Sequence, residues 1–267
     1  MPGKARPVTR LRVLRTERLT PHMIRIVAGG DGLASFTPNE FTDAYVKVHF
    51  LVPGVAYSEP LDLGTIRAEL PREQWPKMRS YTVRQYDRHA GELSIDFVHH
   101  GDQGVAGPWA ATAKPGDELL ISGPGGAYAP GDEADWHLFA GDESALPAIA
   151  ASLEALRPGV PAYAFIEVAD ASEEQVLATK ADAQIRWLHR SAGSGLVRAV
   201  REMEFLPGTV QAFVHGEAGF VRELRRHLLD ERGMRKDLLS ISGYWRRGAT
   251  DEEWRAEKAA ERAAGDR

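Results

Sequence analysis

The side chains best placed to do chemistry stand in one short stretch, Met78-Arg79-Ser80-Tyr81-Thr82-Val83-Arg84. Small, aromatic and β-branched residues alternate there with polar ones, which predicts a β-strand. On a strand Arg79 and Tyr81 share one face, and Ser80 and Thr82 share the other. A guanidinium is a planar fork that matches phosphate oxygens. A tyrosine ring is a flat apolar plate with a polar tip, and a threonine brings a hydroxyl donor. Plate, fork and donor within four residues suit a flavin dinucleotide laid along a strand. An amphipathic strand with an exposed Arg and a half-buried Tyr accounts for the same residues, so the context has to decide.

Two further stretches carry possible binding chemistry. From His99 to Ala110 the chain is rich in glycine and ends in a short helical segment, which would expose backbone N–H groups to an anion. Gly104 and Gly107 would let a pyrophosphate approach; a plain flexible connection capped by Trp109 reads equally well. His99 and His100 are neighbours on an extended chain and point to opposite faces, so they are poorly placed to hold a metal together. The other stretch is a set of strands ending in glycine: Ala140-Gly141, His215-Gly216 and Ser242-Gly243. Asp142, Glu143 and Glu217 beside these ends would oppose a phosphate unless a basic group compensates, and the sequence does not identify that group. There is no G-x-G-x-x-G fingerprint.

The elements that position these residues differ between the two halves. The first half reads as short strands separated by Gly/Pro turns: around Leu11–Leu14, at Met23–Val27, at Tyr45–Val52, at 78–84, at Glu92–Val98 and at Glu118–Gly123. That pattern predicts a small antiparallel barrel or sandwich. Residues 55–78 read as a long irregular insertion. The second half alternates strand and helix. Strands are expected at 135–141, 162–168, 185–189, 210–216 and 238–245, and helices at 142–156 (Ser144 as N-cap, Pro147 in the first turn), 196–205 and 217–232. Such alternation predicts a parallel sheet with helices on its faces and ligands beyond the strands' C-terminal ends. Thr250-Asp251-Glu252-Glu253 is a capping box opening a charged terminal helix pinned by Trp254.

Composition bounds the rest. The 267 residues are 43% hydrophobic and 27% charged, enough for a sizeable core. A net charge of −5 gives no pull toward nucleic acid or an anionic membrane. The chain has no cysteine, which removes disulfides, thiolate zinc, a cysteine nucleophile and a protein-bound iron–sulfur cluster. No apolar run follows the basic N-terminus or reaches the length of a membrane span, so a cytoplasmic protein is expected.

Six stretches in order carry a resemblance. They are Asp43–Lys47, Met78–Arg84, Ile95–Gly101, Gly107–Ala110, Gly141–Ile149 and Gly243–Gly248. Together they resemble the siderophore-interacting proteins, FAD-containing ferric-siderophore reductases of the ferredoxin reductase-like superfamily, from about Val8 to about Trp254. The resemblance implies an α+β two-domain fold: an N-terminal antiparallel six-stranded β-barrel for FAD (1–130), an α/β nucleotide-binding domain with a parallel sheet (131–248), and a C-terminal helix and tail (249–267). It implies that Arg79 holds the FAD pyrophosphate, that Tyr81 stacks on the isoalloxazine and that Thr82 bonds near flavin N5. Ser80, Arg84, Asp96, His99, Gly104, Ala106, Gly107, Trp109 and Ala110 would complete the FAD site. Gly141, Asp142, Glu143, Ser144, Ala145 and the turn at His215–Glu217 would face NADH or NADPH, and Tyr244 or Trp245 would cover the other flavin face. Lys47, Arg246 and Arg247 would attract an anionic ferric siderophore.

The implied reaction passes electrons from NAD(P)H through flavin to Fe(III) and releases Fe(II), with no side chain acting as acid, base or nucleophile. Ferredoxin stands as an alternative electron donor, and a monomer is expected. Glu167 and Asp170 favour a ribose 2′-hydroxyl and hence NADH, whereas Arg186 and Arg190 would suit a 2′-phosphate. The rival readings are a general flavin reductase or redox partner, and a siderophore-binding protein without turnover.

Overall fold

The computed structural model describes residues 8–193 and 195–263, except for the side chain of Arg262. The chain divides between Ala127 and Tyr128 into two compact units.

The first unit is a closed barrel in which the strands follow the order β1-β2-β5-β4-β3-β6. They are β1 (Thr9–Thr20), β2 (Met23–Gly29), β3 (Tyr45–Phe50), β4 (Lys77–Asp87), β5 (Glu92–Val98) and β6 (Glu118–Gly125), all paired antiparallel. Alternation explains the wall: Leu11, Val13, Ile24, Ile26, Val46, Val48, Ile95, Phe97 and Ile121 line one core, while intervening residues such as Arg10, Arg12 and Lys47 are exposed. Pairing of β1 with β6, from Thr9 opposite Ile121 to Arg12 opposite Glu118, closes the barrel and leaves it no open edge. The first strand is longer than its apolar residues alone suggest, running unbroken to Thr20.

The segment between β3 and β4 is not irregular throughout. It contains α1 (Leu63–Glu69), whose N-cap Asp62 accepts hydrogen bonds from the N–H groups of Gly64 and Thr65. A further short helix, α2 (Ala106–Thr112), packs on β2 and β5.

The second unit is a five-stranded sheet ordered β11-β10-β7-β8-β9, parallel throughout. Its strands are β7 (Trp136–Asp142), β8 (Pro161–Val168), β9 (Asp182–His189), β10 (Val210–Glu217) and β11 (Leu239–Trp245). The central strand β7 is buried at every position, which is why it reads as a mostly apolar run. Trp136, Leu138 and Ala140 pack with the apolar sides of α4 (Leu196–Glu202) and α5 (Ala218–Arg226). The alternate residues of β7 and β10, His137, Phe139, Phe213 and His215, form a second aromatic layer with Tyr128.

One helix start and one helix end differ from expectation. α3 (Leu146–Ala155) has Ala145 as N-cap and Pro147 in its first turn. Ser144 does not cap it, because its N–H and hydroxyl both bond to Asp142. After Arg226, α5 widens into a π-helical turn from His227 to Glu231, where the His227 ring meets the Glu231 carboxylate one turn on. The terminal helix α6 (Asp251–Ala263) opens on the expected capping box: Thr250 accepts from the Glu253 N–H, and Glu253 accepts from the Thr250 N–H. It belongs to the second unit, with Trp254 buried against Gly243. No helix among the described residues is long and apolar enough to cross a membrane.

Candidate functional site

In the barrel, register settles which side chains of β4 share a face. Ser80 pairs with Lys47 and Thr82 with Tyr45, while Arg79 pairs with Val48 and Tyr81 with Val46. Directly opposite residues lie on the same side of a sheet. Lys47, Tyr45, Ser80 and Thr82 therefore lie on one side, and Arg79 and Tyr81 on the other, as the alternation predicts.

The Tyr81 ring rests on Phe97 with centroids 4.2 Å apart, and Phe97 in turn meets Trp109 of α2. Packing from beneath fixes a partly exposed plate at the rim of the core. Arg79 is half-buried, its Nη1 donating 2.9 Å to the carbonyl of Met78. Thr82 is buried. A β-bulge between Val83 and Gln85 interrupts the ladder at Arg84.

The glycine-rich segment ends at α2, where Ala106, Gly107 and Ala110 are buried. Gly107 is small for a packing reason: a Cβ would come 3.2 Å from the carbonyl of Val98. Gly104 has φ +80, a conformation only glycine adopts easily. His99 follows β5, its N–H bonded to the carbonyl of His22. Asp96 is held inside the barrel wall, where Arg25 donates to both of its oxygens at 2.6 and 2.8 Å. That ion pair engages both carboxylate oxygens of Asp96. No group of three or more His, Asp or Glu among the described residues is arranged to hold a metal ion.

In the α/β unit the C-terminal ends of the strands gather the other expected residues. Asp142 is fully buried at the end of β7. Its Oδ1 accepts from the N–H and hydroxyl of Ser144, at 2.9 and 2.5 Å. Its Oδ2 accepts from the N–H of Glu217 and from the indole Nε1 of Trp245, each at 2.8 Å. Burial pushes the Asp142 carboxyl up to about 6, against the pull of those donors. Gly216 is required beside it: φ is +139, and a Cβ would sit 2.7 Å from the Asp142 carboxylate.

Glu143 forms a two-pronged ion pair with Arg190, which follows β9, and Arg190 also stands 3.6 Å from Glu167 at the end of β8. This is the compensating base that sequence reasoning could not identify. Arg186, by contrast, is exposed on the edge strand. Of the two aromatics ending β11, Tyr244 packs over the His215 ring at 4.8 Å, whereas Trp245 keeps 38% of its surface exposed.

A half-exposed plate beside a guanidinium on the barrel rim, and a glycine-lined strand edge in the α/β unit, are the parts a flavin nucleotide and a nicotinamide nucleotide need. Comparison with known proteins agrees. Residues 12–128 match the siderophore-interacting FAD-binding domain and residues 134–248 the siderophore-interacting protein family. The ferric vibriobactin reductase ViuB of Vibrio cholerae is 33% identical, covering 92% of each chain. The chain belongs to the siderophore-interacting protein family.

The NADPH-dependent ferric-chelate reductase of Escherichia coli is 34% identical over 81% of this chain and 84% of its own. The structure of a siderophore utilization protein from T. fusca aligns with a TM-score of 0.78 at 39% identity, covering 91% of this chain and 94% of that one. For a siderophore-interacting protein the basic residues acquire interest. Lys47 is exposed on β3, and Arg247 is exposed just past β11. Arg246 is engaged by Glu257 of α6, which offsets part of its charge.

Proposed function

We propose that this protein is an FAD-dependent ferric-siderophore reductase that draws on NADH or NADPH. The observation that carries the reading is the β4 strand: Arg79, Tyr81 and Thr82 at the barrel rim, in a chain whose two halves both match the siderophore-interacting family. When bound, FAD supplies the chemistry, taking a hydride and returning electrons singly to Fe(III).

The chain's own residues bind and orient. Arg79 clamps the pyrophosphate and Tyr81 supports the ring system. Thr82 donates near N5, and Ser80, Arg84, His99 and the backbone from Gly104 to Ala110 complete the cradle. Gly141, Ser144, Ala145 and the His215–Glu217 turn seat the nicotinamide nucleotide, and Glu143, Arg190 and Glu167 read its ribose 2′ position. Lys47 and Arg247, joined by Arg246 when it leaves Glu257, draw an anionic ferric siderophore to an otherwise acidic protein. Iron(II) holds hard oxygen ligands far less tightly than iron(III), so reduction releases it. Ferredoxin is a second conceivable donor, and a monomer acting in the cytoplasm fits the reading.

The test is an anaerobic absorbance spectrum before and after NADH or NADPH, followed by a ferric siderophore in the presence of an Fe(II) chelator. Bleaching by a nicotinamide and recovery on the siderophore, with Fe(II) trapped, is expected. Recovery on free flavin but not on the siderophore would make the protein a general flavin reductase. Failure to bind FAD would overturn the assignment of Arg79 and Tyr81.

A further inference from the structure

Trp245 is an exposed aromatic plate whose orientation is set from below. Its one polar atom, Nε1, donates to Asp142 Oδ2. Strand β10 lies between β7, which carries Asp142, and β11, which carries Trp245. The bond therefore passes over the middle strand, at Gly216, where any side chain would collide with the carboxylate. The same oxygen takes the Glu217 N–H, so one atom ties the indole to the turn that opens α5. All the partners of Asp142 are N–H or O–H donors, and they reach both oxygens. A carboxylate satisfies that set; an amide does not, because its NH₂ must face either Ser144 or the Glu217 and Trp245 donors.

We propose that Asp142 is a positioning residue: without touching the ligand, it holds the Trp245 indole as the wall against which the nicotinamide ring of the donor is seated. This deepens the proposed function and rests on it. The chemistry fits the geometry. A planar, electron-poor ring gains most from a flat indole already locked in place, because less freedom is lost on binding. Tyr244, packed on His215, is the less available of the two rings.

The test compares D142N, W245F and the double variant. In the unliganded ¹⁵N-labelled protein, the Trp245 indole cross-peak is assigned by its loss in W245F. It moves in D142N while the other five indoles hold; a Trp245 peak that stays in place would overturn the proposal. In the FAD-loaded protein, D142N slows anaerobic flavin reduction by NADH about tenfold, as loss of a charge-assisted hydrogen bond predicts. In the W245F background the same substitution costs less than about twofold, because its target is gone. An undiminished loss in that background would place the effect of Asp142 at Ser144 or Glu217 and refute the proposal. Absence of bound flavin would sink the reductase reading instead, and the cross-peak result would still stand.

If D142N does not fold, the wild-type protein serves. The charged groups facing Asp142 are Glu143 and Arg190 on one side and Glu217 on the other. Lowering the pH through the Asp142 titration near 6 moves the Trp245 indole proton. An indole proton unmoved between pH 7.5 and 5 would overturn the proposal.

Discussion

Lowering the pH from 7 to 5 should destabilise the α/β unit by about 2 kcal/mol. The cause is the aromatic layer on one face of its sheet. His137 and His215 are 1% and 4% exposed, and each has a buried Nδ1 with no hydrogen-bond partner. Desolvation, aided by Arg157, holds His137 down at about 4. Desolvation, aided by Lys258, holds His215 down at about 3. Both rings are therefore neutral in the fold and become charged only when the chain opens. Below the ordinary value of 6.5 the unfolded chain binds the extra protons, so stability is present above that value and is lost as pH falls toward the folded values.

From pH 7 to 5 the two rings lose together about 4 kcal/mol at full weight. Halving the His137 share, because its ring is less deeply enclosed than that of His215, leaves about 3 kcal/mol. Asp142 acts in the opposite sense. Its carboxyl is raised from 3.8 to about 6, so the folded state takes up its proton first and gains stability as pH falls; the gain by pH 5 is about 1 kcal/mol. The net loss is then about 2 kcal/mol, a sizeable share of the 5–15 kcal/mol of a typical domain. Urea unfolding followed by tryptophan fluorescence at pH 7, 6 and 5 measures it. H137F, which keeps the stack on Phe139 without the titrating group, should lose about 1 kcal/mol less. Equal or greater stability at pH 5 than at pH 7, or an H137F slope matching the wild type, would refute the reasoning.

Three other substitutions have defined outcomes. R25A leaves Asp96 charged and buried in the barrel wall and should cost about 3–5 kcal/mol in urea unfolding, with much of it recovered in R25A/D96A. R79A should weaken FAD binding at least about tenfold in a fluorescence titration, with the thermal midpoint of the unliganded protein unchanged; unaltered affinity would remove Arg79 from the site. E143Q removes one of the two carboxylates that hold Arg190, so the ratio of kcat/KM for NADPH over NADH should rise about threefold or more; a fall would show that Glu143 orients Arg190 rather than restrains it.

What could be read from the chain alone follows from how local each cause is. The alternation in Tyr45–Phe50 and the apolar run Trp136–Gly141 depend on neighbours in sequence, so both strands and their sheet types were legible. So was the Thr250–Glu253 capping box. α1 went unread although its cue was present in Asp62, which caps it. Ser144 was misassigned because a cap and an Asp-x-Ser turn look alike until the partner of the hydroxyl is known, and that partner is Asp142. The pairings of Arg25 with Asp96, and of Asp142 with Trp245 103 residues away, depend on sheet order, which no local pattern encodes.

The acidic residues at the nucleotide end of the sheet pose the sharpest physical question, since Asp142, Glu143, Glu167 and Glu217 cluster where a doubly anionic ligand is expected. Each has an internal task. Glu143 and Glu167 share Arg190. Glu217 caps α5 and accepts the N–H of Arg247. Asp142 joins three strand ends, and its raised pKa lowers its mean charge near neutrality. Carboxylates already committed to fixed donors repel a phosphate less than free ones, because the donors' dipoles offset their fields. They also fix the strand ends, and two of them hold Arg190 in ion pairs that temper its pull on a phosphate. On the proposed reading, selectivity among anions would then fall to the cations beyond the sheet edge, Arg247 and Arg246, the second of which is paired with Glu257.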